Sequence, residues 1–270
     1  MPIAPQGFPV AITFDLDAET MWTGGKPERA EMPITMSQGR YGPKVAMGRI
    51  LDLLDREGIK ATFFTPGAVV EDHPAVIEDM LKRGHELAHH SHTHPWLPKL
   101  SEAEEREEME KGIAAIKIAS GKAPVGYRSP HGEFGPATMD LIHEYGFGYS
   151  SNFFDDDSPY LHAKDGKKTG LVELPYAWSL DDAPYFLFSA HHFGRVMQTP
   201  DAVLEVWKAE FDGLYAEDRM FMLVMHPQII GRPSRMAMLD KLIAYIRKHP
   251  NLWFARCDQI ADVLRPRLTI

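Results

Sequence analysis

The chain alternates short apolar runs with longer stretches in which apolar residues recur at the spacing of a helix. The runs are four to six residues long, rich in β-branched and aromatic residues and bounded by polar turn residues, which predicts buried strands. The predicted strands cover residues 10–14, 61–65, 86–90, 125–128, 146–151, 171–174, 220–225 and 252–255. Strand and helix therefore alternate along most of the chain.

The helical stretches carry recognisable start signals. Ser101 and Glu104 predict a capping box, and Thr199 followed by Pro200 predicts an N-cap with proline in the first turn. Ser234 is a further N-cap candidate. The predicted helices cover about residues 47–58, 74–83, 101–116, 136–145, 199–214 and 234–246, with a closing helix after the last strand.

Apolar strands that alternate with helices predict an α/β fold whose parallel strands are covered on both faces. Seven or eight strand–helix units favour a barrel over an open sheet, although periodicity alone leaves that choice open. The chain shows no repeat or linker, so we expect a single domain over residues 1–270. Residues 18–42 and 152–199 break the alternation and are predicted to be two long inserted loops that serve as lids or subunit contacts.

Composition narrows the function classes. The 270 residues are 44% hydrophobic and carry a net charge of −9, which argues against a nucleic-acid partner. Cys257 is the single cysteine, the first residues lack a leader pattern, and the longest apolar run, 220–225, is too short to span a bilayer. We therefore expect a cytoplasmic protein without a membrane partner, and by analogy with other acidic barrels a homo-oligomer.

The strongest chemical signal is a cluster of four histidines within residues 89–94, directly after the third predicted strand. His90 and His94 stand four positions apart, so a single helical turn would aim both rings at one point. Imidazole pairs are good ligands for zinc and similar metals. A solvated histidine-rich loop is the alternative, but the position after a buried strand favours a metal site.

The first predicted strand ends in two carboxylates, Asp15 and Asp17. Residues two positions apart point to the same side of a strand, so both carboxylates can face one cavity. They repel each other unless a cation compensates them, and either a metal ion or an arginine would do so. Acidic residues after a strand also often cap the next helix, and the pair alone does not separate the two interpretations.

Two further strand ends carry candidate catalytic groups. Arg128 can hold a carboxylate ionised, and the turn after it, which contains His131, can present a backbone N–H to an oxyanion. His226 follows the most apolar strand, where a lone histidine is often only structural. Because the carboxyl ends of barrel strands form the active-site face, the coincidence of these groups at four strand ends favours one site.

Together these motifs resemble the polysaccharide deacetylase family, the NodB-homology or carbohydrate esterase 4 type. The resemblance covers residues 8–264 and rests on segments 13–17, 84–94, 128–132 and 224–226. It implies a distorted (β/α)7 barrel and a divalent metal, most often zinc, held by two histidines and an aspartate. By motif it implies Asp17, His90 and His94 as metal ligands, Asp15 as base, Arg128 as its tether, His226 as general acid, and the His131 N–H at the oxyanion.

Within the family, the chain is most similar to an intracellular branch that includes peptidoglycan-deacetylase-like proteins, cofactor-independent allantoinases and cyclic-imide hydrolases. Segments 15–19, 172–182 and 226–233 carry this similarity. Secreted sugar deacetylases usually have an aromatic residue in place of His131 and a tryptophan in a fourth motif that residues 155–157 lack, which argues against a polymeric sugar. The residues predicted to contact the substrate are Asp156, Asp157, Tyr160, Trp178 and Trp22.

The resemblance implies a hydrolase of carbon–nitrogen bonds other than peptide bonds, in which metal-held water attacks an amide or imide carbonyl. A small soluble cyclic imide or ureide is the favoured substrate, and an N-acetylated sugar or peptidoglycan fragment is the alternative. A non-catalytic metal-binding protein is a further alternative, but it would not require Asp15, Arg128 and His226 at the same face. A glycosidase with two carboxylates would leave His90 and His94 unexplained.

Overall fold

One sheet of nine strands runs through the computed structural model, which describes residues 4–188 and 196–268. Along the sheet the order is β6-β7-β5-β4-β3-β2-β1-β8, and β9 pairs with the first residues of β1. Every predicted strand is present, although β4 and β5 have only two residues each. The strands are β1 Phe8–Asp15, β2 Thr62–Thr65, β3 Glu86–His89, β4 Gly126–Tyr127, β5 Tyr149–Ser150, β6 Tyr160–Lys164, β7 Lys167–Glu173, β8 Phe221–Met225 and β9 Leu252–Phe254.

Neighbouring strands are parallel throughout the described sheet, except for β6 and β7. Asp15 at the end of β1 lies beside Phe64 of β2, and His89 at the end of β3 lies beside Tyr127 of β4. Strands β1 and β8 are buried along their whole length, as expected for strands covered on both faces. The carboxyl ends of β1, β3, β4 and β8 therefore open on one edge of the sheet.

The sheet curls toward closure without a continuous ladder. Beyond β7 the chain reaches β8, where Asp181 forms an isolated parallel bridge with Val224. The backbone N–H of Asp182 also donates a hydrogen bond to the Val224 carbonyl at 3.1 Å. The predicted α/β fold with parallel, covered strands is confirmed. Within the described residues, the segment after β7 is joined to β8 by this single bridge and not by the continuous strand pairing of a closed barrel.

Helices pack around the sheet, and their start signals are mostly as predicted. The Ser101 hydroxyl accepts a hydrogen bond from the Glu104 N–H at the start of α6, and Thr199 caps α9 in the same way. Ser234 is not a cap, because Pro233 already occupies the first position of α11. The described helices are α1 Thr20–Thr23, α2 Pro33–Tyr41, α3 Met47–Arg56, α4 Gly67–Asp72, α5 Pro74–Lys82, α6 Glu102–Ser120, α7 Thr138–Glu144, α8 Ala183–Phe186, α9 Pro200–Ala216, α10 Pro227–Ile230, α11 Pro233–Ile246 and α12 Cys257–Leu264. Over the ranges 4–188 and 196–268, no helix combines the length and the apolar character that crossing a membrane requires.

The first of the two predicted long loops is largely helical. Residues 18–42 contain α1, a short 3₁₀ helix at Pro27–Glu31, and α2. Pro33 stands in the first turn of α2, where a proline costs no hydrogen bond and is therefore a typical helix start. The sequence analysis did not recognise this start because apolar residues are sparse in the stretch. This inserted stretch therefore contains helices that the sequence analysis did not predict.

The second predicted loop contains a β-hairpin made of β6 and β7. Asp165 and Gly166 form its turn, with φ values of 52° and 72°. Positive φ at both central residues is what a two-residue type I′ turn requires, and Asp-Gly is among the sequences that favour it. The hairpin was therefore encoded in the sequence, but the strand–helix alternation did not reveal it.

Glu86 is buried at the opposite edge of the sheet, at the start of β3. Its carboxylate accepts hydrogen bonds from the Thr62 hydroxyl at 2.6 Å, the Tyr149 hydroxyl at 2.9 Å and the Asp258 N–H at 3.1 Å. Burial, reinforced by the charge of Asp258, raises the pKa of Glu86 from 4.5 to about 7. The folded protein therefore holds this proton more tightly than the unfolded chain does.

The raised pKa makes the contribution of Glu86 to stability depend on pH. That contribution is complete below pH 4.5 and is lost as the pH rises through about 7. We expect Glu86→Gln to gain stability relative to the wild type between about pH 5 and 8, by up to about 3 kcal/mol in urea unfolding. The exposed Glu205→Gln is the matched control and should show a constant difference. A constant difference for Glu86→Gln as well would contradict the shift.

Candidate active site

A cavity of about 650 Å³ lies at the edge where β1, β3, β4 and β8 end. It brings together groups that are far apart in the sequence, because each stands at or just after a strand end. Arg128 lies behind this surface, in contact with Asp15. The predicted residues that line the cavity are Asp15, Asp17, His90, His94, His131, His226 and Trp178.

His90 and His94 follow β3 in a loop, so the predicted helical turn is wrong. Ser91 and His94 have φ values of 60° and 59°, which an α-helix excludes. The Ser91 hydroxyl accepts a hydrogen bond from the His94 N–H at 3.1 Å. Gly24, just after α1, lies so close to the His94 carbonyl that a side chain at position 24 would overlap it. The rings of His90 and His94 nevertheless converge, with centroids 5.0 Å apart.

Asp17, His90 and His94 present three donor atoms to one point. The Nε2 atoms of His90 and His94 lie 3.4 Å and 3.7 Å from Asp17 Oδ1. The His90 Nδ1 donates a hydrogen bond to the Arg128 carbonyl at 2.7 Å, which leaves its Nε2 lone pair facing Asp17. All three donor atoms lie within 4.8 Å of one another, which is close enough to hold one ion.

The chemistry of this donor set fits a metal cation. Both oxygens of the Asp17 carboxylate are buried without a hydrogen-bond partner among the described residues, an arrangement that is costly unless a cation is present. Burial raises the pKa of Asp17 well above its usual range and lowers the pKa of His90 to about 4. Neutral imidazoles with a carboxylate suit zinc and similar divalent ions.

Asp15 forms a buried ion pair with Arg128, whose side chain is 1% exposed. The Arg128 Nη1 lies 2.7 Å from Asp15 Oδ1 and 3.1 Å from the Thr13 hydroxyl, and its Nη2 donates to the Ser151 hydroxyl at 2.9 Å. Burial alone would raise the pKa of Asp15, but the charge of Arg128 and of nearby histidines outweighs it and lowers that pKa. Asp15 is therefore held as an anion.

His226 lies between two groups of carboxylates. Its Nδ1 is 2.7 Å from Asp182 Oδ1 and 3.8 Å from Asp181 Oδ1, while its Nε2 is 4.0 Å from Asp15 and 3.8 Å from Asp17. Burial would lower the pKa of His226, but the neighbouring carboxylates, Asp182 first, raise it well above its usual value. The ring is therefore held as an imidazolium.

Asp181 and Asp182 are site residues that the sequence analysis did not assign. The Asp182 carboxylate also accepts a hydrogen bond from the His226 N–H, so it fixes both the backbone and the ring of this histidine. Together with His226, the two aspartates form a second group of donor atoms within 4.8 Å of one another. Segment 172–182 had supported the family resemblance, but nothing in its local pattern linked it to a residue 44 positions later.

His131 lies in a tight turn after β4 and has a φ of 57°. Its ring packs edge-on against His94, with centroids 4.3 Å apart. Two residues before His131, the Ser129 N–H donates a hydrogen bond to the Asn152 side chain at 2.6 Å, which ties the start of this turn to the segment that follows β5. The turn therefore places His131 beside the metal ligands, and the role of its N–H stays a prediction.

The predicted substrate contacts divide into two groups. Trp178 lines the cavity and is 47% exposed, whereas Trp22 is buried, and its neighbours Met21 and Gly24 line the cavity instead. Asp156, Asp157 and Tyr160 lie outside the described cavity lining: the Tyr160 hydroxyl donates to Asp155, Asp156 accepts from the Ser158 N–H, and Asp157 borders a separate depression beside α9. The sequence analysis did not assign the lining residues Lys26, Arg29, Trp96, Lys99 and Tyr176.

Comparison with known proteins finds relatives along almost the whole chain. A model of the polysaccharide deacetylase family matches residues 34–150. A peptidoglycan deacetylase from Helicobacter pylori is 31% identical over 94% of each chain. A Mycobacterium smegmatis structure described as a candidate polysaccharide deacetylase is 38% identical with a TM-score of 0.92, covering 99% of this chain and 95% of that one. Puue allantoinase is 26% identical with a TM-score of 0.84, covering 97% and 92%.

Proposed function

Because the chain belongs to the polysaccharide deacetylase family, a family of hydrolases that act on carbon–nitrogen bonds other than peptide bonds, we propose that it opens a small cyclic imide or ureide and uses a divalent metal ion, zinc, to do so. The observation that carries the proposal is the unsatisfied Asp17 carboxylate, which faces His90 and His94. A metal ion held there would polarise the substrate carbonyl and bring the pKa of bound water toward neutrality.

The other residues of the cavity supply proton transfer. Asp15 is the proposed base, and Arg128 keeps it ionised at neutral pH. His226 is the proposed acid, because it is protonated and its Nε2 stands 4.0 Å from Asp15 on the cavity side. Asp182 holds the opposite ring nitrogen and so orients His226. A proton from His226 turns the departing nitrogen into a neutral leaving group.

Two observations support a small cyclic substrate. The fold matches Puue allantoinase with a TM-score of 0.84 over 97% of this chain. The cavity of about 650 Å³ is walled by Trp96, Trp178 and Tyr176, a size and lining typical of sites for small ring compounds. The second candidate is an N-deacetylase of N-acetylated sugars or peptidoglycan fragments, favoured by the 31% identity with the Helicobacter pylori enzyme.

A direct comparison of substrates tests this choice. Ring opening of succinimide, glutarimide and allantoin should proceed with a kcat/KM at least about tenfold above that for acetate release from N-acetylglucosamine oligomers. The reverse order would establish the N-deacetylase. Metal binding without hydrolysis of any compound in either set would favour the non-catalytic metal-binding protein. Protein treated with chelator and then reloaded with zinc serves as the control for metal-dependent turnover.

We also propose that the protein acts as a homo-oligomer in the cytoplasm. The exposed apolar side chains of Phe188, Val196 and Met197 suit a contact between copies. The lone Cys257 is buried, and burial raises the pKa of its thiol, so it suits a compartment without disulfides. A monomeric mass in solution would contradict the oligomer.

A further inference from the structure

We propose that the substrate carries an anionic group, a carboxylate or a phosphate, away from the carbon–nitrogen bond that is cleaved, and that Lys26, Arg29 and Lys99 bind it. We call these three residues the rim cations. This inference rests on the proposed function, because it names the class of substrate for the same cavity. It is carried by the placement of the rim cations and by the absence of an ion-pair partner for them among residues 4–188 and 196–268.

The rim cations reach one cavity from two separate segments. Arg29 lies in the 3₁₀ helix Pro27–Glu31, and Lys26 is the residue just before that helix. Lys99 is the last residue of a second short 3₁₀ helix, Leu97–Lys99. All three line the cavity that contains Asp15 and Asp17. Lys26 and Lys99 are exposed and Arg29 is half-buried, so they lie toward solvent from the buried carboxylates.

Among the described residues the rim cations have no ion-pair partner, whereas Asp15 and Asp181 in the same cavity each have a partner. Within residues 4–188 and 196–268, no carboxylate forms an ion pair with Lys26, Arg29 or Lys99. Asp15 is paired with Arg128, and Asp181 accepts the Ala183 N–H at 2.7 Å beside His226. The net charge of the chain is −9, yet three cationic side chains line this cavity without an ion pair among the described residues.

The dimensions of the cavity fit a substrate with two recognised ends. A volume of about 650 Å³ exceeds what an amide or imide group alone would fill. Trp96 and Trp178 supply apolar wall to the same cavity. A ring compound whose reacting carbonyl faces Asp17 would therefore direct a charged substituent toward the rim cations, which would attract it electrostatically.

Pairs of compounds that differ only by an anionic group test this inference, and the pairs include both a cyclic ureide and N-acetylated sugars. Dihydrouracil and dihydroorotate differ by one carboxylate. N-acetylglucosamine differs from N-acetylmuramic acid by a carboxylate-bearing lactyl group and from N-acetylglucosamine 6-phosphate by a phosphate. For each pair, kcat/KM is measured with the zinc-loaded protein, and binding is measured separately by calorimetry. We expect the anionic member to be preferred at least about tenfold, and the preference to shrink at high salt because the rim is open to solvent.

Substitution then assigns the preference to the rim. Lys26→Gln, Arg29→Gln and Lys99→Gln combined should raise KM for the anionic member about 30-fold with little change in kcat, since the charge pairing is the same in ground and transition states. The effect on the neutral member should be several times smaller. Lys117→Gln, Lys167→Gln and Lys248→Gln remove the same charge at exposed positions outside the cavity lining and are the matched control.

The outcomes separate this inference from the proposed function. Hydrolysis with no anionic preference, or with a preference that the rim variant keeps, overturns the role of the rim cations and leaves the hydrolase intact. Rim-dependent binding of the anionic members without any hydrolysis overturns the proposed function and retains the anion site. Absence of both binding and hydrolysis across the panel overturns the anion site as well. A preference for the phosphate or for the carboxylate member identifies which anion the rim accepts.

Discussion

Replacing Asp15 by asparagine is expected to lower kcat by about 10²- to 10⁴-fold while the protein keeps its metal. The amide cannot accept a proton from water, yet its oxygen can still accept the hydrogen bond that Arg128 now donates to Asp15 Oδ1 at 2.7 Å. The substitution therefore removes the proposed base and preserves the local geometry. Steady-state kinetics together with elemental analysis of the purified variant measures both quantities.

The control for this variant concerns folding, because Arg128 is buried and loses a charged partner. The melting temperature and the far-ultraviolet circular dichroism of Asp15→Asn should show a folded protein at the assay temperature. The exposed Asp201→Asn removes the same charge outside the described cavity lining and should keep full activity. Loss of the metal together with activity in Asp15→Asn would mean that Asp15 and Asp17 have exchanged the roles proposed for them.

The second large effect is expected at Asp17. Asp17→Asn should reduce the bound zinc from about one ion per chain to a small fraction and abolish activity, because it removes the anionic donor of the proposed ligand set. Adding metal should stabilise the wild type by about 2.7 kcal/mol when free metal is about 100 times its Kd, and should not stabilise the variant. Thermal unfolding with and without zinc measures this difference independently of turnover.

Asp15→Asn is the matched control for Asp17→Asn, since both change one carboxylate in the same cavity. Without metal, Asp17→Asn should be no less stable than the wild type, because burying the Asp17 carboxylate without a hydrogen-bond partner among the described residues costs more than its attraction to His226, 3.8 Å away, returns. If Asp17→Asn keeps its zinc, the ion is held elsewhere. The second donor group of Asp181, Asp182 and His226 would then be the remaining candidate for the metal site among the described residues, and as a ligand His226 could not be the proton donor.

Most of the fold could be predicted from the sequence, because the strands that carry the site are apolar and end sharply. β1 ends at Asp15 and β3 at His89, so the order of the motifs and the parallel sheet were enough to place the candidate groups at one edge. The hairpin and the helices within the predicted loops were missed, because their apolar residues are sparse. In those segments only a few residues indicated the structure: Asp165 and Gly166 marked the hairpin turn, and Pro33 marked the start of α2.

The site residues that the sequence analysis missed share a physical reason. Asp182 acts on His226 across 44 positions, and this contact exists because the segment after β7 bridges to β8 at Val224. That bridge depends on the curvature of the sheet, which no local pattern encodes. Lys26 and Lys99 look like ordinary exposed lysines until the fold places them on one cavity.

The contact between Gly24 and the carbonyl of His94 has a consequence for any attempt to redesign what this protein accepts. It joins the segment that bears Lys26 and Arg29 to the loop that carries a candidate ligand, with no clearance for even a methyl group. If the segment that bears Lys26 and Arg29 were exchanged for that of a relative, the loop of His94 would keep its position only if the new segment preserved this backbone contact. Selectivity and metal affinity would otherwise change together, and an engineer could not adjust one without disturbing the other.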